Sequence, residues 1–364
     1  MRPHRLQGMV LALGALVAGV IAVTVDHSTQ WLGTTFPGFL VMRNGVVASV
    51  ALPGWDETIS ALFQHEVRAV NGTPVHSAAA LYAQIRQVPV GTAIRYQVRG
   101  PDGVDVVRTV PTRRFAARDY VALFGAFLVT GVAFVLTGLL VFAWRPHHPA
   151  SHGLLSVGLI GGLFAITGAD LYGPHWFFRL HVLTEALVPA SLLHLALVFP
   201  THRLRGARVA LLLGVYGACG VLAVAYEALL YRPMAYSHVH VWASAAQGAG
   251  GLVLVATAAY DLLATTSAVI RRRTLAAALG TVAGFLIPTV LMAASGLGHG
   301  QVPVNGAAVT GFLFPLALGY AIVRGDFFKL DVFLQQAALA CLVLGTTTCF
   351  AVVSGLVALK SRLL

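Results

Sequence analysis

Long apolar blocks alternate with short polar connections along most of the chain. A block of about 20 apolar residues is what an α-helix needs to cross the roughly 30 Å hydrocarbon layer of a membrane. Most of the blocks carry no charged residue in their middle. The pattern predicts nine transmembrane helices, near 8–25, 120–143, 153–171, 182–199, 207–229, 242–269, 275–297, 305–323 and 336–358.

Residues 30–118 interrupt this pattern, because polar residues appear there and apolar positions alternate as they do in strands. Asn-Gly pairs at 44–45 and 71–72 are turn signals between such runs. Residues 77–87 have helical spacing, and two further alternating runs follow them. The stretch predicts a small α+β domain.

The fold class predicted is therefore a polytopic α-helical membrane protein with a small inserted α+β domain. Its three parts are an N-terminal anchor over 1–29, the inserted domain over 30–118, and a multi-helix bundle over 119–364. The anchor resembles a signal peptide, since Arg2 and Arg5 precede its apolar core. Its apolar run exceeds the roughly 7–15 residues of a signal core, which favours retention in the membrane.

Composition supports a membrane protein, because 57% of the 364 residues are hydrophobic and 10% are charged. A soluble domain carries about 25% charged residues. The net charge of +11 raises the alternative of a nucleic-acid partner. However, basic residues concentrate in alternate connections between the predicted helices, and the opposite connections carry only Arg179 and Arg232. This asymmetry predicts a bacterial inner membrane protein with a cytoplasmic N-terminus, an extracytoplasmic domain over 30–118 and no nucleic-acid partner.

Residues with catalytic or metal-binding chemistry do not form a recognisable motif. A membrane metalloprotease needs two His at i and i+4, but His65 is followed by Ala69. The sequence also contains 14 His and three Cys, yet no group has a known metal-ligand spacing. We therefore predict no enzyme activity, no metal and no cofactor, and we interpret the Cys as buried apolar residues.

The inserted domain resembles a PDZ domain at four places. Residues 36–41 occupy the place of the carboxylate-binding loop, 45–50 that of the following strand, 70–75 the VNG turn, and 88–92 the turn before the last hairpin. It departs from the family at 64–66, where Gln-His-Glu stands in place of the usual Gly-Asp.

The resemblance implies that a peptide or protein C-terminus binds by adding a strand to an open sheet edge, while backbone N–H groups hold its carboxylate. The residues that would form this site are Gly38, Phe39, Leu40 and Val41. The alternative is a degenerate PDZ domain that serves for packing or dimer contact.

Two membrane stretches, 193–200 and 320–333, resemble the N-terminal input region of competence-type multi-pass membrane histidine kinases. In that family cytoplasmic transmitter domains follow the input region. The resemblance implies a sensory input module in membrane lipid that forms a homodimer and relays its signal to a cytoplasmic kinase or other output domain. We expect that output domain to lie outside this chain.

Ionisable residues inside a bilayer are costly and therefore mark candidate functional sites. Asp170, Glu185 and Glu227 are predicted near the outer ends of their helices, where they either form one polar pocket under the inserted domain or extend to the headgroups. Asp261 is predicted to be the most buried charge, and His194 to form a hydrogen bond within the bundle.

Residues 324–336 combine an apolar side with a polar side, which is typical of a segment lying in the membrane interface. Lys329 and Asp331 in this segment are candidate coupling residues, and a plain loop is the alternative. The leading functional hypothesis is a module that senses a peptide, lipid or envelope signal. A small-solute transporter and an envelope scaffold with a PDZ-like domain are the rivals.

Overall fold

A computed structural model describes residues 3–172, 176–264 and 268–324 of the chain. The predicted helix 336–358, together with Lys329 and Asp331, lies outside these residues.

Helices form most of the described chain. In order they are α1 (Pro3–Thr29), α2 (Ala78–Arg86), α3 (Ala117–Tyr120), α4 (Ala126–Trp144), α5 (Pro149–Gly168), α6 (Phe178–Val198), α7 (Ala207–Leu229), α8 (Pro233–Ala264), α9 (Ala268–Leu297), α10 (Ala307–Gly311) and α11 (Leu313–Arg324). A π-helical turn over Val121–Gly125 joins α3 to α4.

Six segments of the described chain are long and apolar enough to cross a membrane. They are Leu6–Thr29, Ala117–Trp144, Pro149–Gly168, Phe178–Val198, Ala207–Leu229 and Pro233–Ala264. These segments support the predicted class of a multi-pass helical membrane protein. The first six predicted helices overlap them, whereas the prediction over 305–323 is observed as two short helices, α10 and α11, separated at Phe312.

The inserted domain contains six strands. They are β1 (Thr35–Phe36), β2 (Glu66–Val70), β3 (Thr73–Pro74), β4 (Ala93–Arg99), β5 (Asp105–Pro111) and β6 (Arg113–Arg114). An antiparallel sheet has the order β3-β2-β4-β5, and β1 pairs with β6 in a second sheet. Helix α2 begins after its N-cap Ser77, whose hydroxyl accepts from the Ala80 N–H at 3.1 Å. Residues 45–50, predicted as a strand, form only single bridges to neighbouring segments.

One hydrophobic core runs from the inserted domain into the helix bundle. Trp31, just after α1, is buried against Phe115 with a ring-centroid distance of 5.5 Å. Phe115 in turn stacks on Phe124 of the π-helical turn, again at 5.5 Å. Because Trp31 and Phe115 belong to the domain and Phe124 belongs to a membrane segment, the domain packs directly on the bundle.

Helices α4 and α5 approach closely at glycines, which allow close contact between helices in lipid. A Cβ added at Gly158 would lie 2.7 Å from the Phe134 carbonyl oxygen and 3.0 Å from the Cα of Gly138. This crossing therefore has no room for a side chain on Gly158.

Replacing Gly158 with alanine is expected to destabilise the protein by about 1–3 kcal/mol, because the two helices must separate. Gly161→Ala on the same helix is the matched control, since its Cβ would be 3.5 Å from Phe134. Chemical denaturation in lipid bicelles measures both. Equal stabilities of the two variants would contradict the close helix contact.

Candidate functional site

The loop predicted to bind a peptide carboxylate is buried. Phe39, Leu40 and Val41 are all fully inaccessible, and a Cβ on Gly38 would lie 3.1 Å from the Pro111 carbonyl oxygen. A peptide has no access to these side chains in this conformation. Peptide binding at Gly38, Phe39, Leu40 and Val41 stays a prediction.

The backbone of Val41 is hydrogen-bonded to the chain's own helix α2. Its N–H donates to Tyr82 Oη at 2.6 Å, and the Tyr82 hydroxyl donates to the Val41 carbonyl at 2.9 Å. The ring of Tyr82 also packs edge-on against Trp31, with a centroid distance of 4.8 Å. Burial raises the pKa of Tyr82 well above its usual value, so the hydroxyl stays protonated. A peptide strand that paired with the backbone of Val41 would have to displace the Tyr82 hydroxyl.

Tyr82→Phe is expected to lower the free energy of unfolding by about 1–3 kcal/mol, since the buried N–H and C=O of Val41 both lose their partner. Tyr231→Phe is the matched control, because Tyr231 is half exposed. Thermal or chemical denaturation of both variants checks the difference. If Tyr82→Phe matched the control, the hydroxyl would not hold the loop closed.

A small polar pocket of about 150 Å³ remains open beside this loop. Its wall includes Val41, His76 and the ion pair of Glu66 with Arg68, whose Oε1 and Nη1 atoms are 2.9 Å apart. Residues of α2 and of 41–45 both contribute to its wall, so the pocket lies between these two segments.

The loop between α9 and α10 covers another edge of the inserted domain. The Val304 N–H donates to the Ser49 carbonyl at 3.0 Å. The side-chain amide of Asn305 accepts from the Ala51 N–H at 3.2 Å and donates to the Ala51 carbonyl at 2.9 Å. The chain thus pairs its own segment with this edge, which attaches the domain to the bundle.

The first turn of α8 also contacts the inserted domain. Ser237 Oγ donates to the Gln64 carbonyl at 3.2 Å, and Tyr236 Oη lies 3.5 Å from Met42 Sδ. Both residues of α8 are buried. The polar start of α8 therefore lies beneath the domain, which explains why the helix begins nine residues before its predicted boundary at 242.

Glu185 is buried in the bundle and has polar contacts to two neighbouring helices. Its Oε1 lies 3.1 Å from His240 Nδ1 of α8, and its Oε2 accepts from the Tyr226 hydroxyl of α7 at 2.9 Å. Tyr226 Oη is also 3.0 Å from His240 Nδ1. The carboxylate joins α6, α7 and α8 in one cluster, named here the Glu185 cluster.

A proline in α6 links this cluster to one more side chain. Pro189 has no N–H, so the helix provides no donor for the carbonyl of Glu185, four residues earlier. Gln247 Nε2 of α8 donates to that carbonyl at 3.2 Å. Gln247 therefore completes the hydrogen bonding that the proline interrupts.

The three acids predicted near the outer ends each have a separate basic partner. Asp170 Oδ1 lies 2.6 Å from His27 Nδ1, and the Phe177 N–H donates to Asp170 Oδ2 at 2.9 Å. Glu227 pairs with Arg179 at 3.0 Å in an exposed contact. Such exposed pairs contribute little to stability, so Asp170 and Glu185 are the structurally important members.

Asp261 lies buried near the opposite end of α8 and forms an ion pair with Arg203 of the connection between α6 and α7. The Arg203 guanidinium also lies 5.9 Å from the centroid of the Tyr260 ring. The pair connects α8 to the Arg-rich connection on that face of the bundle.

His194 is half buried, and its contacts are weaker. Its Nδ1 is 3.5 Å from Tyr216 Oη, which in turn lies 2.8 Å from Ser156 Oγ. His194 thus contacts a tyrosine of the neighbouring helix α7. Within residues 3–172, 176–264 and 268–324, no three His, Cys, Asp or Glu side chains are placed to hold a metal ion.

Sequence reasoning did not identify several partners of the candidate residues. They are His27, Tyr82, Arg203, Tyr226, His240, Gln247 and Asn305. The position of Pro189 is the one sequence signal that points to such a partner, because it predicts an unpaired carbonyl at Glu185.

Comparison with known proteins identifies no relative. No family model matches the chain, and neither a curated protein nor a solved structure matches it.

Proposed function

We propose that this chain is a membrane-embedded sensory input module in which α8 relays a signal between the inserted domain and the Arg203 connection. The contacts of α8 are the observation that supports this proposal. Tyr236 and Ser237 contact the inserted domain at one end, and Asp261 pairs with Arg203 near the other.

The length of α8 suits such a relay. From Tyr236 to Asp261 the helix extends roughly 38 Å at 1.5 Å per residue, which exceeds a hydrocarbon layer of about 30 Å. His240 lies one turn beyond Tyr236 and joins the helix to Glu185. A shift of α8 at the domain would therefore alter the Glu185 cluster and the Asp261 pair together.

The sequence supports the number of membrane helices, the orientation and the partners that we propose. The chain would have nine transmembrane helices in a bacterial inner membrane, with the PDZ-like domain outside and the Arg203 connection in the cytoplasm. It would act as a homodimer and pass its signal to a cytoplasmic kinase or another output domain. A peptide signal at the PDZ-like domain would have to displace Tyr82 from Val41.

Distance measurement between spin labels tests the relay. With Cys219, Cys341 and Cys349 replaced by alanine, labels at His202→Cys and Leu263→Cys would flank the Asp261 pair at exposed positions. Adding Tyr236→Ala loosens the domain end of α8. We expect it to shift the mean distance between the labels, or to broaden the distance distribution, by about 1–2 Å, the size of helix shifts at interfaces.

Trp242→Ala is the matched control, because Trp242 is an aromatic residue of α8 that is 72% exposed. This control is expected to leave the label distance unchanged. An unchanged distance in Tyr236→Ala, with the fold retained, would show that the two ends of α8 are independent and would refute the relay.

A further inference from the structure

A cavity of about 90 Å³ lies inside the helix bundle, between α4, α5, α6, α8, α9 and α10. Four aromatic side chains form much of its wall: Phe127, Phe134, Phe164 and Phe285. Gly161 and Ser191 lie at the cavity near the middle of α5 and α6. The cavity is therefore at the depth of the hydrocarbon layer.

Water is a poor occupant of this cavity. A buried water needs two to four polar partners. The Thr130 hydroxyl already donates to the Ala308 carbonyl, and the Ser191 hydroxyl donates to the Val188 carbonyl, each at 2.7 Å. Of the other polar wall residues, Gln247 donates to the Glu185 carbonyl and Thr289 is buried, and the surface that the wall exposes to the cavity is almost entirely apolar.

We propose that this cavity binds part of an acyl chain of a membrane phospholipid. The wall is apolar, and the side chains of Phe164, Phe285 and Met292 are only half buried, so the wall extends to the surface of the described bundle. At this depth the surrounding solvent is hydrocarbon, and an acyl chain fills an apolar void with dispersion contacts that an empty cavity lacks.

The cavity also touches the Glu185 cluster. Gln247 is part of the wall and donates to the Glu185 carbonyl that Pro189 leaves without a helical donor. An acyl chain that fills the cavity would hold Gln247 in this position and so stabilise the contact between α6 and α8. This regulatory step rests on the proposed relay, whereas acyl-chain binding does not.

Photolabelling tests the binding. The full chain is placed in nanodiscs containing phosphatidylcholine with a diazirine on one acyl chain, then illuminated and mapped by mass spectrometry. Labelling is expected on the cavity wall of α5 and α9. Gly161→Leu, which projects into the cavity without a backbone clash, should remove this labelling.

Gly217→Leu is the matched control, because a Cβ on Gly217 of α7 meets nothing within 4 Å and this residue is remote from the cavity wall. It should leave labelling of the wall intact. Met292→Ala enlarges the cavity and is expected to increase labelling, so the test does not depend on one variant. Wall labelling that is absent, or that is the same in all three variants, would overturn the proposal.

The outcomes for binding and relay are separable. Suppose that Gly161→Leu removes the wall labelling, while Tyr236→Ala leaves the distance between the spin labels unchanged. This result would support the acyl-chain site and refute the relay. The reverse pattern would refute the site alone.

Discussion

Replacing Arg203 with leucine is expected to lower the free energy of unfolding by about 3–5 kcal/mol, because the carboxylate of Asp261 then stays buried without a counter-charge. Asp261 is 3% exposed, so water does not replace the guanidinium. Denaturation in lipid bicelles at neutral pH measures the loss.

The reciprocal variant Asp261→Leu should cost less than Arg203→Leu. Arg203 lies in a connection with its side chain 18% exposed, and a long arginine side chain can direct its charge to water. The double variant should recover part of the loss, since neither charge is left buried. Equal and additive losses in the two single variants would contradict a buried pair.

Glu185→Leu is expected to have the second large effect, a loss of about 3 kcal/mol, because the buried Tyr226 hydroxyl and His240 lose their shared acceptor. Glu185→Gln keeps an oxygen acceptor and should cost less. The measurement is again denaturation in bicelles.

Glu227→Leu is the matched control for this prediction, because Glu227 pairs with Arg179 in an exposed contact. Its expected effect is within about 1 kcal/mol, as for surface ion pairs. A loss at Glu227 equal to that at Glu185 would show that burial does not distinguish the two acids.

Helix positions followed from the sequence where the lipid environment alone determines them. Apolar blocks of membrane length predicted α1, α5, α6 and α7 within a few residues. A segment that crosses lipid must satisfy its backbone hydrogen bonds internally, as an α-helix does. The start of α8 was missed, since its polar first turns are covered by the inserted domain. The break at Phe312 lies three residues before Pro315, which has no N–H to donate to the carbonyl of Gly311 at the end of α10.

The candidate residues were predictable as costly charges, but their partners were not. Asp170 pairs with His27, which is 143 residues away in the sequence, and Asp261 pairs across a connection. Such contacts depend on which helices pack together, and the apolar pattern of a single segment does not specify its neighbours. Likewise, the PDZ resemblance predicts an accessible loop at Gly38, whereas the loop is closely packed against Pro111 and Tyr96, and Tyr82 is hydrogen-bonded to Val41.

If α8 crosses the membrane from the inserted domain to the Arg203 connection, exposed positions in these two regions must be accessible from opposite sides of the membrane. Measuring the accessibility of one position in each region is the most direct test. Thr109→Cys in β5 and His202→Cys, each in a chain with the three native Cys replaced by alanine, are treated with a membrane-impermeant maleimide on intact cells. We expect Thr109→Cys to react at once and His202→Cys to react only after the membrane is permeabilised. Reaction of both positions from the same side of the membrane would contradict it.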